Sequence, residues 1–309
     1  MADGLEAPRG LHLSENNFLL VAETGAGRVL EITDTDKIRP VATGLPFTLD
    51  SGPGSQYPAG PSAVSYLDGD LFTLIGESSS NRFGRLYKMV GASDFVPVTG
   101  PTGIDLPATN RLANPYDLVV APEAGGWVVS DSGRNALVAV SRSGKTTDYF
   151  RFDLFPIPGR KHLVEVVPTG ITRGLDGALY VGSLTGFPYP DGMATVWRVQ
   201  DRNNDGDAMD TGEVQTFVTG LSTVTDLAFG QDGALYIAEF TSNMMAVIEG
   251  GPLRETVFDH PGRILRWDGA ELSTVVSDLI SPTALLVVGE SLYVSEEFAG
   301  RVRKLPIDS

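Results

Sequence analysis

The sequence predicts an all-β fold, a six-bladed β-propeller with four antiparallel strands in each blade. Three observations lead to this prediction: a unit that occurs six times in the 309 residues, four β-rich runs within each unit, and a first segment that completes the last unit. Four-stranded antiparallel units repeated in this way are typical of propeller blades. We therefore expect residues 1–309 to form a single propeller domain.

The unit is recognised by two apolar segments that are separated by a turn, the second of which ends in a polar and usually acidic residue. At intervals of 52 to 57 residues, these second segments end at Glu23, Glu77, Asp131, Ser183, Glu239 and Glu296. We expect the six residues to form a ring with five carboxylates, which accept backbone hydrogen bonds in the next turn. A functional acidic rim is the alternative.

The first apolar segments of the six units also align with one another. Their fourth position is always large and apolar, and it holds Leu11, Val64, Leu118, Ile171, Leu227 and Leu285. A position that stays apolar while its neighbours vary indicates a buried strand.

The four runs of a blade are clearest in the fourth unit, where they span residues 168–174, 178–183, 194–199 and 214–220. The last unit stops after its third run, at residues 301–305, whereas residues 1–5 resemble the end of a fourth run. We predict that residues 1–5 supply the outer strand of the last blade. This closes the ring and leaves no free sheet edge.

Strand order assigns the connections to two faces of the ring. We call the face at which the first strand of each blade begins the top face. Bottom turns are mostly short, whereas the longer segments fall mostly at the top, at residues 45–60, 100–114, 153–167, 184–193 and 240–262. Long segments gathered on one face are typical of a binding face. We expect a small molecule or a protein partner there; the alternative is that these segments only cap the ring.

One long segment, DRNNDGDAMDTGE (201–213), lies instead at the bottom, between the third and fourth strands of the fourth blade. It begins like a calcium-binding loop, with side-chain oxygens at alternate positions and Gly206 at the sharp turn. The predicted ligands of a structural Ca²⁺ are Asp201, Asn203, Asp205, Asp207, Asp210 and Glu213. No helices flank the loop and Gly212 replaces the usual glutamate, so it is not an EF-hand. The alternative is a solvated acidic turn.

The candidate ligand pocket lies on the axis of the ring. The third position of the first strands holds Gly10, Ala63, Asp117, Gly170, Asp226 and Ala284. Small residues are expected near a crowded axis, but Asp117 and Asp226 are not. These acids bind an axial ion, act as acid and base, or accept hydrogen bonds from neighbouring amides. Arg9, Tyr116 and His12 lie in the same strands and are further pocket candidates, although a packed polar role is the simpler reading of His12. No catalytic residue is identified.

Composition excludes several classes of function. The net charge of −16 and the pI of about 4.5 argue against nucleic acid and anionic membranes as partners. The absence of cysteine excludes thiol nucleophiles and cysteine-based zinc sites. No apolar run approaches the ~18 residues of a membrane helix, so no membrane insertion is expected. The chain has no P-loop, dinucleotide fingerprint or G-x-S-x-G motif.

Three segments resemble the ScyD/ScyE-type proteins. They are VPTGITRGLDGALYVGSLTGFPYPDGMATVWRV (167–199), NPYDLVV (114–120) and APRGLHL (7–13), of which the TGFPYP loop is the most specific. The resemblance covers nearly the whole chain. It implies an NHL-like propeller that is secreted or periplasmic, with its leader absent from this chain, but it implies no reaction. The calcium-type loop is an insertion relative to the family pattern.

The chain is also similar to gluconolactonase-type propellers, which hydrolyse lactones with an axial divalent metal. That family places Asn or Asp second in some first-strand motifs, whereas Asp117 and Asp226 sit one position later, on the other side of the strand. Two hypotheses therefore follow. The first is an exported propeller that binds a ligand or partner through its top face, with a structural calcium at the bottom. The second is a lactonase-like hydrolase with an axial metal at Asp117 and Asp226.

Overall fold

The computed structural model describes residues 1–33, 35–52, 55–78, 80–100 and 111–307. Six four-stranded antiparallel sheets are arranged in a ring as the blades of a β-propeller, which confirms the predicted fold. Each blade runs from an inner strand at the axis to an outer strand at the rim.

Blade 1 contains Pro8–Leu13, Leu19–Glu23, Arg28–Ile32 and Ile38–Ala42. Blade 2 contains Pro61–Leu67, Asp70–Ile75, Arg85–Met89 and Phe95–Pro97. Blade 3 contains Pro115–Ala121, Gly126–Asp131, Ala136–Ser141 and Thr146–Arg151. Blade 4 contains Pro168–Arg173, Leu179–Ser183, Ala194–Val199 and Val214–Leu221. Blade 5 contains Val224–Phe229, Leu235–Glu239, Gly262–Trp267 and Leu272–Leu279. Blade 6 contains Pro282–Val288, Ser291–Glu296, Arg301–Pro306 and, as its outer strand, Ala2–Asp3.

The N-terminal strand closes the ring, as predicted. Ala2 pairs with Val302 and Asp3 with Arg301, in antiparallel register. The Leu5 amide donates to the Gly300 carbonyl oxygen at 2.9 Å. Ala2 and Leu5 are buried in a cluster with apolar residues of blade 1, so this short strand also joins the last blade to the first.

The blades are joined near the axis by side-chain hydrogen bonds to backbone groups. The hydroxyl groups of Thr169, Thr225 and Thr283 each donate to the carbonyl oxygen of the first inner-strand residue in the next blade, at 2.8, 2.8 and 3.3 Å. These threonines occupy the second inner-strand position. In all six blades the strand register shifts between the first and the third or fourth inner-strand residue, so this second position belongs to a β-bulge or similar irregularity.

The top face carries the additional secondary structure. A hairpin of Thr48–Gly52 and Ser55–Ala59 precedes blade 2, and a second hairpin of Phe155–Pro156 and Leu163–Val164 precedes blade 4. Helices α1 (Met244–Gly250) and α2 (Leu253–Thr256) lie between the second and third strands of blade 5. Among the described residues, short 3-10 helices span Thr24–Ala26 and Ser132–Arg134 at the top, and Pro122–Ala124 in the bottom turn of blade 3. Of the predicted top segment 100–114, residues 101–110 lie outside the described residues.

No helix among the described residues is long and apolar enough to cross a membrane.

Candidate functional site

A cavity of about 570 Å³ lies on the top face above the inner strands, and we call it the top cavity. Its aromatic lining consists of Tyr57, Tyr116, Phe187, Tyr189, Phe240 and Phe298. Its aliphatic lining consists of Leu184, Met244, Ile248 and Leu253. Cavities of this size with mainly apolar walls are typical of small-molecule sites.

Helices α1 and α2 supply one wall of the top cavity because they are anchored by their own capping and packing. The side chain of Asn243 accepts a hydrogen bond from the Ala246 amide at 3.0 Å, which caps the start of α1. Thr256 of α2 donates to the Val247 carbonyl oxygen at 2.7 Å. Val247 and Val257 are fully buried between the helices and the blades, so the cavity-facing side of α1 is held in place.

The floor of the top cavity contains an ion pair. Arg9 Nη2 lies 3.1 Å from Glu297 Oε1, and the exposed fractions of the two side chains are 26% and 2%. Among the described residues, Arg9 Nε has no hydrogen-bond partner, and Glu297 Oε1 has no polar contact besides this ion pair. Burial lowers the pKa of Arg9, but Glu297 and Tyr116 raise it by more, so that this pKa lies above its ordinary value. Arg9 is therefore a permanent cation that borders the cavity beside a buried anion.

Tyr116 separates the top cavity from a lower one. Together with Thr283 it lines both the top cavity and a second cavity of about 280 Å³ on the axis, which we call the axial cavity. Burial raises the pKa of the Tyr116 hydroxyl well above its ordinary value, although Arg9 acts in the opposite direction. The hydroxyl group therefore stays protonated throughout the ordinary pH range and is able to donate a hydrogen bond.

Asp117 and Asp226 line the axial cavity, not the top cavity. Asp117 Oδ2 accepts a hydrogen bond from the Ile171 amide of blade 4 at 3.0 Å. Asp226 accepts hydrogen bonds from Leu227 at 2.8 Å and, in blade 6, from Leu285 at 2.6 Å. Each acid thus ties its own blade to the next one, which was one of the three roles left open by the sequence.

Burial also changes the acidity of this pair. It raises the pKa of Asp117 to about 6, against the effect of the amide hydrogen bonds. It raises the pKa of Asp226 well above its ordinary value, and the negative charge of Asp117 raises it further. Neighbouring carboxylates with separated pKa values are also found in acid–base catalysis. The geometry therefore permits both a structural and a chemical role.

His12 completes the set of sequence candidates. It lines the axial cavity, and its Nδ1 atom lies 2.8 Å from the Leu13 carbonyl oxygen. Burial lowers the pKa of His12, which favours the neutral ring. The five candidates therefore divide between two stacked cavities: Arg9 lies in the upper one, Tyr116 lines both, and the rest lie in the lower one.

The predicted ring of five carboxylates requires a correction. The strand register places Ile75, not Glu77, opposite the first inner-strand residue of blade 2, so the ring has four acids: Glu23, Asp131, Glu239 and Glu296. The prediction was wrong at Glu77 because the second strand of blade 2 ends two residues earlier than the aligned pattern indicated. The four acids are structural. Each accepts a hydrogen bond from a backbone amide in the segment just before the first strand of its own blade, not from the turn that follows the acid.

The acidic loop 201–213 connects the third and fourth strands of blade 4, at the bottom, as expected. Asn203 Nδ2 donates to Asp205 at 2.9 Å and to Asp210 at 2.7 Å, so these three side chains converge on one point. Asp201 instead accepts hydrogen bonds from the amides of Asn204 and Gly206.

Glu213 is buried and accepts hydrogen bonds from the amides of Arg202 and Asp210, whereas Asp207 accepts one from Met209. Among the described residues, no group of three or more His, Cys, Asp or Glu side chains is arranged to hold a metal ion.

Sequence reasoning missed Glu297 and most of the wall of the top cavity. A signal for Glu297 was present, because blade 6 is the only unit in which two acids follow one another at the end of the second strand. The wall residues come from top segments without a repeating pattern, so their convergence was visible only as a concentration of long loops.

A second apolar cavity, of about 470 Å³, lies between blades 3 and 4 and away from the axis. Its aromatic lining consists of Phe150, Phe152, Phe155 and Trp197.

Several solved structures share the fold. A catalytically inactive virginiamycin B lyase from Staphylococcus aureus with quinupristin is 16% identical, with a TM-score of 0.56; the match covers 100% of this chain and 83% of that one. A gluconolactonase from Xanthomonas campestris is 13% identical, with a TM-score of 0.61 and coverage of 99% and 88%. A chain of the nidogen/laminin complex is 11% identical, with a TM-score of 0.60 and coverage of 94% and 89%. No protein-family model and no curated protein matches the sequence. At these identities the likeness shows the six-bladed propeller fold alone.

Proposed function

We propose that this propeller binds a small, mainly apolar and aromatic molecule in the top cavity. The observation that carries the proposal is the combination of a volume of about 570 Å³ with walls made of aromatic and aliphatic side chains. Burial of apolar ligand surface against such walls contributes about 25 cal/mol per Å². The proposal includes membership of the exported ScyD/ScyE-type group, which the sequence motifs support.

The test uses 6-propionyl-2-(dimethylamino)naphthalene, whose fluorescence shifts to shorter wavelength in apolar surroundings. We expect saturable binding of one probe molecule and at least tenfold weaker binding to Ile248→Asp, because a carboxylate in the apolar wall is costly to desolvate. Leu175→Asp, a matched change in an exposed bottom turn, should bind like the wild type. Equal affinity of wild type and Ile248→Asp would refute the proposal, since the probe would then sit elsewhere, for example in the cavity between blades 3 and 4.

A structural calcium ion in loop 201–213 is part of the same proposal. The convergence of Asp205 and Asp210 on the Asn203 side-chain amide supports it, because the positive edge of the amide lies where two carboxylates meet. Rotation of the amide by half a turn would present its oxygen there instead. Asp205, Asp210 and Asn203 would then hold the ion, while Glu213 and Asp201 shape the loop.

Thermal melting tests the calcium proposal. We expect calcium to raise the melting temperature of the wild type and to leave that of Asp205→Ala unchanged. Glu271→Ala, in another bottom turn, should respond like the wild type. A calcium response that survives in Asp205→Ala would contradict the assignment.

A metal-dependent hydrolase is the second candidate function. The observation that favours it is the pair of carboxylates Asp117 and Asp226, which share the axial cavity. Hydrolysis of glucono-1,5-lactone by the wild type, lost in Asp117→Asn, would support it. The hydrogen bonds that both acids accept from neighbouring blades favour the binding proposal over it.

A further inference from the structure

The floor of the top cavity is polar, in contrast to its walls. The Arg9 guanidinium carries five N–H donors. Its one polar contact with a described residue is the approach of Nη2 to Glu297, and Nε is left without a hydrogen bond. Both side chains line the cavity, but Arg9, with 26% of its side chain exposed, is far more open to it than Glu297, with 2%.

Tyr116 supplies a second donor at the same floor. Tyr116 lines the same cavity as Arg9. It lies near enough to Arg9 that each group affects the protonation of the other. Two donors that face a shared space and have few acceptors are suited to an oxygen atom supplied by a ligand.

The charge balance at the floor restricts the kind of oxygen. Arg9 and Glu297 already neutralise one another, so a ligand carboxylate would add an uncompensated negative charge between apolar walls. Burial of an unpaired charge is far more costly than burial of a neutral oxygen that accepts hydrogen bonds. A neutral carbonyl oxygen satisfies the donors without this cost.

We propose that the top cavity recognises a neutral aromatic molecule by its carbonyl oxygen, as in a ketone, lactone or amide, with Arg9 and Tyr116 as the two donors. This inference rests on the proposed function of the cavity. It adds the chemical class of the ligand and the two residues that select it.

The experiment compares three probes with the same naphthalene body: 2-acetylnaphthalene, 2-ethylnaphthalene and 2-naphthoate. Dissociation constants are measured by titration with the wild type, Tyr116→Phe and Tyr189→Phe. Tyr189 is the matched control, because it is a cavity tyrosine on the loop side and not at the floor. We expect the preference of the wild type for the ketone over the ethyl compound to fall about fivefold in Tyr116→Phe, which is a typical loss for one hydrogen bond. It should be unchanged in Tyr189→Phe.

Arg9→Lys, which keeps a positive charge opposite Glu297, should weaken the same preference, because lysine lacks the planar set of donors. An unchanged preference in Tyr116→Phe would overturn the inference while leaving the proposed function intact. Tighter binding of 2-naphthoate than of the ketone would also overturn it, since the floor would then be an anion site. If none of the three probes binds, the proposed function fails and this inference fails with it.

Discussion

Replacement of Asp117 by Asn should stabilise the protein at neutral pH, and the gain should disappear in acid. The Asp117 side chain lies on the axis, where burial raises its pKa to about 6. An unfolded aspartate has a pKa of about 3.9. A folded pKa above the unfolded one means that the contribution of Asp117 to stability is fully present below about pH 4 and is lost as the pH rises through about 6.

The size of the effect follows from the same shift. A difference of about two pKa units corresponds to about 3 kcal/mol in the free energy of unfolding. This value is an upper bound, because Asp117 borders the axial cavity, where water screens its charge. As the pH rises from about 4 to about 7, the free energy of unfolding of Asp117→Asn should increase by about 1–3 kcal/mol relative to that of the wild type. The asparagine side chain still offers an oxygen to the Ile171 amide.

Urea unfolding at four pH values between 4.5 and 7.5 measures this gain. Asp94→Asn, a change of the same type at an exposed position in a bottom turn, is the control and should show no such trend. A difference between Asp117→Asn and the wild type that does not vary with pH would refute the reasoning, since the Asp117 carboxylate would then have the same pKa in the folded and unfolded chains.

Two further predictions concern the contacts that hold the ring together. Gly170→Ala should destabilise the protein by about 1–3 kcal/mol in urea unfolding, because the added Cβ would overlap Asp226 Oδ1 and lie 2.5 Å from Asp226 Cα. Gly76→Ala, whose nearest neighbour would be 3.7 Å away, is the control, and an equal loss in both variants would contradict the prediction. Deletion of residues 2–5 should lower the free energy of unfolding by at least about 2 kcal/mol, since it exposes apolar surface that Leu5 and Ala2 now cover. An unchanged unfolding midpoint after this deletion would show that the closing strand contributes little.

The fold could be predicted because a propeller repeats one set of physical requirements six times. Each inner strand needs a large apolar residue at the same position, and the agreement among Leu11, Val64 and their equivalents made the blade visible. The repeating pattern misplaces one residue of the ring, Glu77. Glu77 lies two residues beyond the end of its strand, but an acidic residue there fits the repeating pattern as well as one at the strand end. Only the strand register shows that Ile75, not Glu77, occupies the equivalent position.

The candidate site was less predictable because it does not repeat. Arg9 and Tyr116 were predicted as pocket residues because they lie in inner strands, where they occupy a position at which the other blades carry Ser or Thr. The residues of α1 and α2 belong to a single insertion, for which no second copy exists for comparison, whereas Glu297 directly follows the second strand of blade 6. Their convergence on Arg9 depends on the closed ring, which brings together residues almost the whole chain apart.

The Arg9–Glu297 ion pair therefore has a role in the architecture as well as in the cavity. Arg9 belongs to blade 1 and Glu297 to blade 6, so the pair spans the junction at which the two ends of the chain meet. Thr283 spans the same junction through its hydrogen bond to the Pro8 carbonyl oxygen, and it also lines the top cavity. Because Ala2–Asp3 closes this same junction from the rim, the floor of the cavity is held from both the axis and the outer edge. The polar floor is thus built where the ring is joined by noncovalent contacts, and closure of the ring is a condition for the site to exist.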